Sequence, residues 1–247
     1  MSTTVLNRRS GGTRALSLLF ALAVVALTGA CAQTRSAGPE VTLDRSDGKV
    51  SVLLMPADVE LSLLTTGGLL EPNAEWTEQG RQNVIAALKA EMAERNIEAV
   101  SYADDSDPTY QIAATDEQLV KLHEAVGGAI MTHNYLPGQT LPTMKDRFDW
   151  TLGAGARQLR EAHEADYALF VYAEDSFSSD GRVALNIALA LLGAGVHGGR
   201  QVAFASLVDL DDGRVVWFNV LQSGGGDLRD PKLARQAIDQ LLDSSPL

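Results

Sequence analysis

The chain has 247 residues, 45% of them hydrophobic, with one cysteine and a formal net charge of −12. That apolar content supplies a conventional core and excludes a mainly disordered chain. The acidic balance excludes nucleic acid as a partner, because phosphate binding needs clustered Lys and Arg.

Arg8, Arg9 and Arg14 open the chain, an apolar run follows from Ala15 to Leu27, and Leu27-Thr28-Gly29-Ala30 leads into Cys31, the only cysteine. A basic start, an apolar stretch and small residues before a cleavage point describe an export signal. The run is shorter than the roughly 20 residues that cross a bilayer. The pattern resembles the lipobox of bacterial lipoproteins, in which the signal is cut just before a lipid-modified cysteine. That resemblance implies a signal peptide over residues 1–30, with Cys31 as the lipidation site and acylated (palmitate-bearing) mature N-terminus. An ordinary secretory signal with an incidental cysteine is the other reading. Cleavage leaves 217 residues and removes three arginines and no acid, taking the charge from −12 to −15. A chain of that sign has no polybasic grip on anionic lipid, so the acyl anchor is the expected membrane contact. With Cys31 modified, no thiol remains for a disulfide. Sorting rules of well-studied proteobacterial lipoproteins retain those with aspartate after the cysteine in the inner membrane. Ala32 stands there, which implies the outer membrane and a domain facing the periplasm, the inner membrane being the alternative.

Residues 31–48 lack apolar periodicity and read as a lipidated flexible tether with a reach of roughly 20–25 Å. The rest, 49–247, reads as one periplasmic domain. Val50 to Met55 is a short apolar run ended by Pro56, hence a buried strand. Gly67-Gly68 and Pro72 mark 57–74 as a loop. A helix is expected over about 77–95, with Val84, Leu88 and Met92 on one face and Asn96 as its left-handed terminus. Ile97 to Tyr102 reads as a strand. Thr115 and Gln118 have capping-box spacing, and Leu119, Leu122, Val126 and Ile130 repeat helically after them. A third helix is expected over about 144–165. Asp166 to Ala173 is a strand rich in aromatic and aliphatic residues. Val183 to Val196 carries no charge and reads as a helix destined for the core or, failing that, an interface. Asp211-Asp212-Gly213 between two β-rich runs signals a hairpin, and Asp230-Pro231 starts a last helix whose inner face is marked by Leu233, Ala237 and Leu241. The order β-α-β-α-α-β-α-β-β-α predicts a single mixed α/β domain with a C-terminal β-hairpin plus helix.

No catalytic pattern accompanies this framework. His123, His133, His163 and His197 lack the spacing that puts two metal ligands on one helical face, so no metal or cofactor is expected. His163 with Asp166 suggests a local pair at a helix end. The acids of 209–213 do not fall at calcium-loop positions, and Gln222-Ser223 lacks the glycine of a nucleophile elbow. Gly224-Gly225-Gly226 is not followed by Lys-Ser/Thr, so it is no phosphate loop. Glu174-Asp175 reads as a solvated strand end. The expectation is a protein without catalytic residues.

Ala165-Asp166-Tyr167-Ala168-Leu169-Phe170, then Ala205-Ser206-Leu207-Val208-Asp209-Leu210 and Gly213-Arg214-Val215-Val216-Trp217, resembles a pattern of small envelope lipoproteins. These include the curli-secretion lipoprotein, the penicillin-binding-protein activator lipoprotein and a neisserial surface lipoprotein family, which share a fold like the amino-terminal domain of TolB. The resemblance covers residues 165–245 best. It implies a non-enzymatic envelope component, an adaptor or assembly factor that binds other proteins. The alternative is a subunit of an oligomeric envelope secretion or transport complex, motivated by the small residues of 181–199. The expected partners are the membrane, through Cys31, unidentified envelope proteins and further copies of the chain. Val183–Val196 shows no strand alternation, so the channel-forming activity of one relative is not implied.

Overall fold

The computed structural model describes residues 32–39, 43, 50–102, 113–145 and 147–247. Residues 1–30, read from the sequence as a signal peptide, and Cys31 lie outside the described residues. Eight strands form one mixed sheet: β1 (Gln33–Ala37), β2 (Ser51–Leu54), β3 (Asp58–Leu64), β4 (Leu70–Pro72), β5 (Glu98–Ser101), β6 (Tyr167–Ser178), β7 (Gln201–Asp209) and β8 (Val215–Ser223). Among the described residues five α-helices accompany them: α1 (Ala74–Glu94), α2 (Ala114–Ile130), α3 (Arg157–His163), α4 (Asp180–Ala190) and α5 (Pro231–Leu242). The class is the expected single mixed α/β domain. The element order also agrees from α1 onward, and four strands stand where one was expected before it.

The sheet runs β1-β8-β7-β6-β2-β5. Strand β6 is long enough to hold two neighbours on one edge. Its first residues pair in parallel with β2, and Tyr172–Ser178 pair in parallel with β3. Pro56 sits at the handover, and β4 hairpins back on β3. This overturns the loop reading of 57–74. Gly67-Gly68 punctuates only the turn, where Gly68 donates to the Thr65 carbonyl at 2.9 Å, and Pro72 is tolerated because β4 is an edge strand. Five residues of the expected tether also fold, as β1, which pairs antiparallel with β8. Leu43 is buried in the core as well.

Both faces of the sheet are covered, so β7 and β8 are buried almost throughout. On one face Val52, Leu61, Leu169 and Trp217 pack against Val84 and Leu88 of α1 and Ala237, Ile238 and Leu241 of α5. On the other, Leu53, Phe170, Phe204 and Phe218 pack against Leu119, His123 and Ile130 of α2 and Leu159 of α3. Arg235 of α5 ties the first layer together, bonding Glu91 at 2.7 Å and Glu94 at 2.9 Å on α1.

Helix boundaries follow local chemistry. Asn73 caps α1 by accepting from Trp76 N at 3.0 Å, and Asn96 ends it with φ of 56°. Asp230 caps α5 through Lys232 N and Leu233 N. Leu233 itself is only half-buried, and Ala234, Ala237, Ile238 and Leu241 form the inner face instead. The capping box at Thr115 does not form: Ala113 is the N-cap, and Thr115 already lies inside the first turn. Leu122 faces outward at 40% exposure, because the buried stripe of α2 runs through Leu119, Val120, His123 and Ile130. The helix expected over 144–165 is confined to 157–163. Before it, the chain is extended beside the β7–β8 turn, with Leu152 N donating to the Gly213 carbonyl at 2.8 Å and Val215 N to the Trp150 carbonyl at 2.9 Å. Gly213 takes φ of +77° to make that turn, as the Asp-Gly signal predicts.

The core destination expected for Val183–Val196 is overturned. Helix α4 has no buried residue; Leu185 and Leu189 are half-buried against the body, while Val183 and Ile187 face outward. Leu191 and Leu192, just beyond it, are 84% and 80% exposed.

Candidate interaction edge

Strand β1 forms one margin of the sheet. Strand β8 lies on one side, and no strand among the described residues pairs with the other. A margin of this kind presents unpaired backbone groups to another chain. Beyond α2 the backbone widens into a π-helical turn, Met131–Tyr135, a form that concentrates at functional sites. The turn delivers Tyr135 to β1, where its hydroxyl donates to the Arg35 carbonyl at 2.9 Å. The Arg35 guanidinium in turn lies 5.0 Å from the Tyr135 ring centroid. Burial pushes the Tyr135 phenol up to about 12, so it remains a donor at neutral pH.

Between β1 and this turn lies a cavity of about 490 Å³. Met131, Leu136 and Val220 supply apolar walls, and Gln33, Thr34 and Gln222 a polar rim. Its lining contains no carboxylate, histidine or thiol. Chemically the arrangement suits recognition: an extended segment can continue the sheet along β1 and lower one side chain into the cavity.

A second cavity, of about 280 Å³, lies where β6 ends, beside Asp175, Phe177, Arg200 and Arg229. The Arg229 guanidinium stands 3.6 Å from the Phe177 ring centroid and pairs with Asp227 at 2.8 Å. Asp175 is not the solvated residue expected. It is 1% exposed and accepts from Leu228 N at 3.1 Å and Gln201 Nε2 at 3.3 Å. Burial pushes its carboxyl up to about 7, against the pull of those two donors.

The histidines are dispersed, and the described residues contain no group of three or more His, Cys, Asp or Glu able to hold a metal ion. His123 Nε2 lies 2.8 Å from Ser206 Oγ. Each residue is 1% exposed, and Phe170 and Phe204 pack on the imidazole, so no substrate reaches this serine–histidine contact. His133 bonds the Gln139 carbonyl at 2.6 Å and stacks on Trp150, bracing the π-helical turn. His163 does not pair with Asp166. Its ring packs on Tyr102, and Asp166 pairs with Arg160 at 3.2 Å. The His197 carbonyl accepts from Arg182. Sequence reasoning missed the Arg35–Tyr135 contact because its partners are 100 residues apart and share no local pattern.

No protein-family profile and no curated protein sequence matches the chain. Among solved structures it is similar to the PelC dodecamer from Paraburkholderia phytofirmans, at 14% identity and a TM-score of 0.39 over 87% of this chain and 96% of that one. It is also similar to a variant of that dodecamer in a second crystal form, at 14% identity and a TM-score of 0.40 over 87% and 97%.

Proposed function

We propose that this chain is a lipid-anchored envelope protein that works without catalysis, as an adaptor or assembly factor whose partner docks on β1. The open β1 edge with its adjoining cavity carries this reading, and the lipobox-like run ending in Cys31 supports the anchor. Main-chain pairing along β1 supplies affinity, and the cavity between Met131, Leu136 and Val220 selects a side chain. Ala32 supports delivery to the outer membrane.

A photo-crosslinking amino acid at Leu136, in the cavity wall, tests the reading in living cells. Leu136 is already exposed, so the substitution leaves the fold intact. A discrete adduct with an envelope protein is expected, and it should fade when Thr34→Pro breaks β1. A folded, lipidated variant that yields no adduct would overturn the reading.

A second reading, a subunit of an oligomeric envelope complex, is favoured by the sheet having margins on both sides, β1 on one and β5 and β4 on the other. Different margins meeting head to tail generate rings. Adducts joining two copies of the chain at Leu136, with a defined oligomeric mass in detergent, would replace the adaptor by the subunit.

A further inference from the structure

Eight large hydrophobic side chains are exposed among the described residues, and six of them occupy two neighbouring segments: Leu69 and Leu70 in the β3–β4 hairpin, and Val183, Ile187, Leu191 and Leu192 on and after α4. Arg182 joins these segments into one ledge. Its Nε and Nη2 donate to the His197 carbonyl at 3.1 and 2.8 Å, and its Nη1 to the Thr66 carbonyl at 3.4 Å. Gly181 allows the approach, because a Cβ there would collide with the Thr66 hydroxyl.

The sheet register fixes where this ledge stands. Gln33 pairs with Gln222, Gln222 with Val202, Val202 with Glu174 and Glu174 with Glu60, so these residues form one row across the sheet. Strand β1 runs opposite to β6, so the chain enters the sheet at the end where β6 leaves for α4. Three strand spacings and four residues of rise separate Gln33 from Ser178, on the order of 20 Å. Cys31 is two residues before Gln33, a reach of at most about 7 Å. The start of β1, which follows Cys31 in the chain, and the ledge therefore share one end of the sheet.

The charges at this end are unlike those of the whole chain. Residues 181–200 contain Arg182, His197 and Arg200 and no carboxylate, while Asp180 begins α4 and Glu71 adjoins Leu70, so the ledge is close to neutral in a protein of net charge −12. Arg182 donates only to carbonyls, and neither it nor Arg200 forms an ion pair among the described residues. An apolar helix face flanked by cations that no carboxylate pairs is the pattern of an element lying in a bilayer interface. Overall acidity rules out net attraction as the driving force, and a ledge close to neutral keeps the local repulsion small.

We infer that this ledge is a second membrane contact, lying on the phospholipid surface with Val183, Ile187, Leu191 and Leu192 among the upper acyl carbons and Arg182 and Arg200 at the lipid phosphates. The inference rests on the anchor at Cys31 proposed above. It fixes the domain's orientation, leaving β1 edge-on to the membrane and open to a partner beside it.

The test uses the full lipidated chain in vesicles of phosphatidylethanolamine and phosphatidylglycerol. Leu191→Cys supplies the one unmodified thiol for a polarity-sensitive fluorophore, and Asp211→Cys, at the opposite end of the sheet, is the control. The Leu191 probe should shift to the blue and be quenched by brominated acyl chains, while the Asp211 probe stays water-like. Vesicle flotation with a Leu191 probe open to aqueous iodide would overturn the contact and leave the anchor standing. A chain that fails to float would overturn the anchor and the contact together. A blue shift that depends on protein concentration and occurs without vesicles would assign the ledge to a second copy of the chain, also against the proposal.

Discussion

The imidazole Nε2 of His123 on α2 lies 2.8 Å from the Ser206 hydroxyl of β7, between the rings of Phe170 and Phe204. Burial holds the imidazole down to about 3, well below its ordinary 6.5. The folded state therefore binds this proton less readily than the unfolded chain does. The stability involved is present above pH 6.5 and is lost as pH falls toward 3, about 5 kcal/mol in all. Replacing His123 by Gln removes that slope, which urea unfolding between pH 4 and 7 would measure. A Gln variant whose stability tracks the parent at every pH would refute the assignment.

Asp175 opposes it. Its folded value of about 7 lies above the ordinary 3.8, so the protonated form is favoured in the fold. That stability is present below pH 4 and lost as pH rises to 7, about 4 kcal/mol. Between pH 4 and 6.5 the two slopes oppose each other, so the parent protein should show a flatter profile than either group alone would give. Asp175→Asn should be more stable than the parent at pH 8 and should expose the falling limb of His123 below pH 6.5. Parent and variant curves that run parallel would show that Asp175 is ionised throughout.

Trp217 is 5% exposed beneath α5, and its indole Nε1 has no hydrogen-bond partner. Trp217→Ala should cost about 3–5 kcal/mol, a fall in Tm on the order of 10 °C for a domain this size. Trp217→Phe keeps an aromatic ring and deletes the unpaired donor, so it should lose clearly less. Equal losses in calorimetry would place the weight on the indole N–H instead of on its packing.

Cys31→Ser tests the anchor independently of the fold. Incorporation of a palmitate analogue should disappear and the chain should leave the membrane fraction. Continued labelling would show acylation elsewhere.

Much of the framework was legible in residues that act locally. The Asp-Gly turn at 212–213, the Asp230 cap and the left-handed Asn96 each satisfy backbone groups within a few positions, so their chemistry reads directly from the chain. Strand β3 was hidden by its neighbours, because Gly67-Gly68 and Pro72 masked the alternation of Val59 and Leu61. Asp175 was readable in principle: Leu169, Val171 and Ala173 precede it at period two, all facing the core. A carboxylate at that phase contradicts the polarity rule, and only the donors from Leu228 and Gln201 explain its burial. The exposure of α4 was not legible, since an apolar sequence names no destination. Nor was the β1 edge, whose cavity exists only because α2 and β8 bring distant residues together.

Because β6 passes from one partner to another along a single edge, the sheet has a seam at Pro56. The β3–β4 hairpin crosses the far half of that edge, and α4 rests on the same half. Opening at the seam would release these elements together while Val52–Leu54 stays paired to β5 and to the start of β6. Cooperativity in this molecule is therefore expected to be divided. Native-state hydrogen exchange should show Val59–Leu64 trading protons through a partial unfolding that the amides of Val52–Leu54 do not sense.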